Sequence, residues 1–307
     1  MIVRSGSGFR KGLRMILARN WILILVVLAI EFSSLELHRI LPELQSSAFS
    51  EAGVAVLAGA VGVFLSFRFN EAYGRWWEAR ILWGGLVNAS RTFARQVVTY
   101  IDDASGGEAL RRELVHGQIA YVNALRCALR HEDAHAAAEP FLGEAARREL
   151  GDARNLPTQI VARQNRLVSE AIGGQTANAI VASRFDATFT ELTALQGGAE
   201  RIKNTAFPDR VITTSRLLVW AVAILVCLAF IDPVEVIYLL EFAAILMIVL
   251  SFKLVVQLGE ELNDPFENEP NDTPMTALCR TIEIDLRQML GETDLPDPIE
   301  PVDGVLM

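Results

Sequence analysis

The chain has 307 residues, of which 51% are hydrophobic, and its 37 acidic against 28 basic side chains give a formal charge of −9. That apolar share is high for a wholly soluble protein and low for one made only of membrane spans, so a mixed organisation is expected. The acidic balance argues against nucleic acid as a partner, and Cys127, Cys227 and Cys279, without CxxC spacing, argue against a disulfide framework or a structural zinc.

Arg4, Arg10, Lys11, Arg14 and Arg19 precede the first apolar run, Trp21–Leu41, which carries Glu31 and Glu36. The arrangement is like a signal peptide, but "EFSSLELHR" offers no small-x-small cleavage site, so a retained span is expected. Further apolar runs are Ala52–Phe69, Leu217–Ile231 and Phe242–Val256, the last interrupted by Lys253. Each pure run falls short of the roughly 20 residues that cross a bilayer core. Four of them, paired at the two ends of the chain, are nevertheless hard to bury anywhere but in a membrane.

The basic residues orient these spans. The connection after the first holds only Arg39, Arg68, Arg75 and Arg80 follow the second, and the turn "FIDPVEV" holds none. The positive-inside rule then places both termini and the middle of the chain in the cytoplasm and the two short connections outside. The middle reads as helices. Leu110, Leu114, Val115, Ile119, Val122, Leu125 and Leu129 recur at three and four, as do Ile180, Val181, Phe185, Phe189, Leu192 and Leu195. The breaks are "DASGGE" at 103–108, "GDARNLP" at 151–157 and "GGQ" at 173–175. The expected class is all-α, with no strand and no internal repeat. The divisions are 1–70 with two spans, 71–210 as a helical cytoplasmic domain, 211–257 with two spans, and 258–307 as a cytoplasmic acidic loop, helix and tail.

The stretch "AVGVFLSFRFNEAYGRWWEAR" at 60–80 passes from apolar to charged without a helix breaker. Gly59, Val63 and Phe67, at i, i+4 and i+8, form one narrow stripe. Gly53, Gly59 and Gly62 allow close helix approach. A small-residue helix with one apolar stripe suits the lining of a pore that gates by dewetting, and ordinary helix packing is the competing explanation. Trp76 and Trp77 suit the membrane–water boundary or a seam, where Arg75, Glu78 and Arg80 can form ion pairs.

At these residues the chain resembles the bestrophins, in their bacterial branch. The signature is "FRFNEAYGRWWEARILWGGLVNASRTFARQ", followed by "GGAERIKNTAFP" and "EELNDPFENEPNDTPMTALCRTIEIDL". The resemblance implies a homopentameric ion channel of the bacterial inner membrane, with four spans per subunit and a helical cytoplasmic vestibule. It implies a pore neck at Gly59, Val63 and Phe67 and a cytoplasmic aperture at Ile180. The family usually carries bulky residues at all three neck positions, so Gly59 widens or removes the outer ring.

Residues 260–272 hold six acids and no base, and the tail adds Glu292, Asp294, Asp297, Glu300 and Asp303. Five copies would carry −45, a field that favours sodium or potassium over chloride, as the resemblance to the bacterial branch also implies. Animal relatives bind calcium in the corresponding loop. Here Pro270 and Asn271 interrupt Glu267, Asn268, Glu269 and Asp272, so capping and surface roles are expected in place of a calcium clasp.

One motif points elsewhere. His131–His135 spell "HEDAH", and on a helix the two imidazoles would share a face, with Glu132 as base for zinc-bound water and Glu139 or Glu144 as third ligand. That pattern defines the alternative, a membrane zinc metalloprotease, against a plain charged helix end. His116 reads as a helix-surface residue. No Ser–His–Asp set, Walker loop or dinucleotide fingerprint is present, so no catalytic residue, cofactor or metal is assigned to the channel reading.

Overall fold

The computed structural model describes residues 9–40, 51–102, 106–173, 178–205, 207–229, 238–302 and 304–307. These residues form α1 (Phe9–Ile40), α2 (Glu51–Tyr100), α3 (Gly107–Leu129), α4 (Ala134–Ala138), α5 (Glu144–Leu150), α6 (Leu156–Ile172), α7 (Asn178–Asn204), α8 (Asp209–Ala229), α9 (Tyr238–Glu261) and α10 (Met275–Met289). The β structure among the described residues is one bridge, Val302 to Val305. The short connections at 41–50 and 230–237, Arg4, positions 174–175 of "GGQ" and Asp303 lie outside the described residues.

Two compact units share the chain. One comprises the described parts of Ser5–Arg75 and Phe207–Asn263, the other Trp76–Ala206 and Asp264–Met307. Helix α2 runs through both. No proline interrupts its 50 residues, which at 1.5 Å each extend about 75 Å. Its first half gives Val54, Val61 and Leu65 to one core, and its second half gives Ala79, Trp83, Leu86, Phe93 and Val97 to the other.

The first unit holds the apolar helices. Four helices, α1, α2, α8 and α9, contain segments long and apolar enough to cross a membrane. Leu23, Val27, Val61, Leu65, Val219, Val222, Val226, Ile245 and Val249 are buried among them. Asn20 and Gln257 exchange hydrogen bonds at 3.3 and 3.0 Å, so this buried polar pair satisfies itself without water. Gly59 has no atom within 4 Å of where a Cβ would stand, and Gly62 only the Phe252 ring at 3.5 Å, an ordinary contact. Neither glycine is a point of close helix approach within the chain.

The second unit is built around α3. Of its expected stripe, Leu114, Val115, Ile119, Val122, Leu125 and Leu129 are buried and Leu110 is partly buried. The helix packs against α4, α6, α7 and α10. Close approach occurs here. A Cβ at Gly85 of α2 would lie 2.7 Å from Leu195, and one at Gly198 of α7 would lie 2.8 Å from Leu82. Phe93, Phe185 and Phe189 cluster in the same α2–α7 contact, with ring centroids 5.4 to 6.5 Å apart.

Candidate functional site

On α2, the buried residues Val61, Leu65 and Arg68 mark the inward face. Val63 and Phe67 point away from it, 57% and 68% exposed, and Gly59 is exposed in line with them. Val56, 74% exposed, extends the same stripe two helical turns before Val63. It was readable from its i−7 spacing but is absent from the residues expected at the neck. The structure therefore brings Gly59, Val63 and Phe67 to one unpartnered side of a single helix. Ile180 belongs to α7, in the other unit, and is 68% exposed. It lies one residue off the line of partly buried Val181 and buried Phe185, Phe189 and Leu192, about 100° round the helix, which is why it leaves the core that its periodicity suggests.

The charged aromatic segment is anchored locally. Trp76 Nε1 donates to the Asn271 carbonyl at 2.7 Å, Arg75 Nε donates to the Asn263 carbonyl at 3.1 Å, and Glu78 pairs with Arg201 of α7.

The acidic loop is largely neutralised from within. Lys203 of α7, its side chain 5% exposed, places its ammonium 2.9 Å from Asp264 Oδ2 and also on Glu267 Oε1. Burial works against the Lys203 charge, but the hydrogen bonds to Glu267 and Asp264 outweigh it and raise its pKa. The same hydrogen bond holds the Glu267 carboxyl below its ordinary value. Asp264 Oδ1 accepts from the Phe266 N–H, and Asp272 Oδ2 from the Glu269 N–H. Burial pushes Asp272 up to about 6. Upstream, Glu260 accepts from Arg216 at 2.9 Å and Glu261 pairs with Arg19. Of the six acids only Glu269 is an exposed carboxylate without a basic partner among these pairs, so the stretch is not a free negative surface. In the tail, Glu292 is likewise held by His116 at 2.8 Å and Arg287 at 2.6 Å.

The HEDAH segment is not one helix. α3 ends at Leu129, His131 adopts a left-handed φ of 57°, and Asp133 caps α4 by accepting from the N–H groups of His135 and Ala136. The cap breaks the i, i+4 geometry that a zinc-binding helix requires. Glu132 accepts from the Cys127 thiol at 3.4 Å, and His135 Nε2 lies 3.2 Å from the Ala153 carbonyl. His131 and His135 do line one cavity of about 270 Å³, with Arg154, Glu200 and Lys203. Among the described residues, no three His, Cys, Asp or Glu side chains are placed to hold a metal ion.

Described residues that are almost wholly helical, four membrane-competent helices among them, and an exposed apolar stripe on the longest helix define a polytopic helical membrane protein. Within that class the assignment is specific. The model of the bacterial/fungal bestrophin proteins matches residues 12–288, and the chain belongs to that family. It is 34% identical over 256 residues to a protein of Escherichia coli K12 named voltage-dependent anion channel-forming protein YneE, covering 82% of this chain and 81% of that one. A protein of the same name from Salmonella typhimurium is 32% identical over 248 residues, covering 81% and 79%. The crystal structure of a bacterial bestrophin homologue from Klebsiella pneumoniae superposes with a TM-score of 0.76 at 26% identity, over 88% of this chain and 98% of that one.

Proposed function

We propose that the chain is an ion channel of the bacterial bestrophin type. It assembles as a homo-oligomer, a pentamer by resemblance, and passes monovalent ions passively through a central pore. It lies in the bacterial inner membrane with both termini in the cytoplasm. The observation that carries this reading is the exposed stripe of α2: Val63 and Phe67 are large, apolar and unpartnered on a helix whose opposite face is buried. Around a symmetry axis, rings of these side chains form a hydrophobic neck. Gly59 leaves the outer level wide, and Ile180 forms the cytoplasmic aperture. The channel-forming name shared by the relatives supports the same reading.

The proposed selectivity is for monovalent cations, supported by the net charge of −9 per chain. A second reading, for anions such as chloride, is favoured by two observations: the relatives are named as anion channels, and internal pairs neutralise most of the 260–272 acids. The experiment that tests the assembly is the native mass of the detergent-solubilised protein. Five copies support the channel, whereas a monomer leaves the pore without walls.

A further inference from the structure

In the unit that carries the apolar helices, two arginines flank one carboxylate, and a lysine lies two turns from it on the same helix. Arg216 Nε donates to Glu260 Oε1 at 2.9 Å, and Arg68 Nη2 lies 3.8 Å from the same oxygen. Lys253 adds a third positive field at Glu260, and no ion pair within 4 Å involves it among the described residues. Two arginines therefore share one anion, with the field of Lys253 added to theirs. Arg68 is the most deeply set. Its side chain is 6% exposed, and its Nη1 is buried without a hydrogen-bond partner. A buried guanidinium compensated only at 3.8 Å is costly unless further negative charge stands nearby. Arg216, 54% exposed, and the half-buried Lys253 present the accessible front of the cluster.

The sequence positions say what could supply that charge. Arg216 immediately precedes the apolar run Leu217–Ile231, Arg68 is the last residue but one of Ala52–Phe69, and Lys253 lies three residues from the end of Phe242–Val256. All three stand where hydrocarbon-compatible sequence stops, which is the depth of lipid headgroups. Guanidinium groups match phosphate oxygens in pairs, and an ammonium adds a compact charge.

We propose that Arg216, Lys253 and Arg68 form a phosphate-binding site at the membrane boundary, with Arg216 and Lys253 in contact and Arg68 supplying field from behind. Its occupant is a phosphate group, carried by an anionic lipid headgroup or free in solution. Glu260 is the built-in competitor, because it holds the Arg216 Nε that the phosphate would use.

The test uses the full chain in mild detergent, titrated separately with phosphatidylglycerol, phosphatidylcholine and inorganic phosphate. Lipid retention is read by native mass spectrometry and the unfolding midpoint by heating. Phosphatidylglycerol should be retained over phosphatidylcholine. Lys253→Gln, which breaks no ion pair, should weaken that retention about fivefold, while Glu260→Gln should strengthen it. If millimolar inorganic phosphate raises the midpoint and displaces phosphatidylglycerol, the site takes the free anion too; if it does neither, the site is a headgroup site. Equal retention of the two lipids without a midpoint shift by phosphate overturns the proposal. A preference for phosphatidylglycerol that both substitutions leave unchanged overturns it equally.

Discussion

The ammonium of Lys203, on α7, lies 2.9 Å from a carboxylate oxygen of Asp264, 61 residues away in the loop after α9, and also pairs with Glu267. A side chain thus supplies the positive charge in a loop whose composition alone invites a metal ion. Removing it should leave two carboxylates facing each other. A fully buried pair broken in this way costs about 3–5 kcal/mol. Asp264 and Glu267 are 36% and 52% exposed, so water screens part of the loss and about 2 kcal/mol is expected for Lys203→Met. Thermal unfolding should show the drop at neutral pH and a smaller one in molar salt. An unchanged midpoint would mean that the loop does not depend on the pair.

The same loop should leave a signature in pH. Asp272 is buried, with Oδ1 lacking a hydrogen-bond partner, and its carboxyl is pushed up to about 6. A carboxyl whose folded pKa lies above its unfolded value, near 4, stabilises the fold only while protonated. Stability carried by Asp272 should therefore be present below pH 4 and fall as pH rises towards 6. Asp272→Asn keeps an oxygen for the Glu269 N–H and should abolish that fall, gaining on the order of 2 kcal/mol at pH 7. Glu267 works in the opposite sense. Its lowered pKa gives stability above its unfolded value that is lost as pH drops. The difference between wild type and Asp272→Asn, measured from pH 4 to pH 7, isolates the first group. Parallel curves across that window would count against it.

The elements most legible in the sequence were those set by period. The described parts of the four apolar runs became helices, the stripe from Leu114 to Leu129 became the buried face of α3, and the breaker-free stretch 60–80 lies within one longer helix. Partnerships across the chain were not legible. Nothing near 264 announces Lys203, and nothing near Gly85 announces Leu195, because contacts between distant helices follow from packing and not from local propensity. The HEDAH segment is the charged helix end that was set against the zinc reading, and the local reason was in view: Asp133 within it is a strong helix-start residue, and it begins a new helix. The partners of the acidic stretch were not legible because composition counts charges without what they pair with.

Topology offers a direct check of the orientation assigned by the basic residues. A cysteine at Glu108, whose side chain is 82% exposed in the first turn of α3, suits labelling better than one at Gly106, whose φ of 92° disfavours a side chain. The native Cys127, Cys227 and Cys279 are all buried and can be replaced in the background. Glu108→Cys should resist impermeant thiol reagents in intact cells and react after lysis. Ready labelling from outside would reverse the assigned orientation.

Selectivity is decided by the reversal potential of purified protein in planar bilayers under a salt gradient. The cation reading expects a wild-type reversal towards the potassium or sodium equilibrium potential. Because pairs absorb most acids of the 260–272 loop, neutralising Glu269 there should matter more per charge than neutralising Asp264 or Glu267. A reversal near the chloride potential would sink the cation assignment and support the anion reading.

The neck makes the sharpest claim about conduction. Val63 and Phe67 lie one helical turn apart and face away from the buried side of α2. Five phenyl rings around a narrow axis would strip water from an ion and return no polar contact, so the barrier is one of desolvation. Every 1.4 kcal/mol removed from it is worth about tenfold in rate. Phe67→Ala should therefore raise single-channel conductance or open probability about tenfold, and Val63→Ala with Phe67→Ala should raise it further. Neither side chain contributes to the core, so assembly should survive, which the native mass checks. Gly59 brings no ring of its own, and the remaining two levels should carry a larger share of the barrier than in a relative with three. Val56, exposed two turns before Val63, provides the control. If it belongs to a wider outer mouth, Val56→Ala should leave conductance nearly unchanged. Unchanged conductance and open probability in the Val63 and Phe67 variants, with the oligomer intact, would make the stripe a packing surface and move the search for the constriction to Ile180.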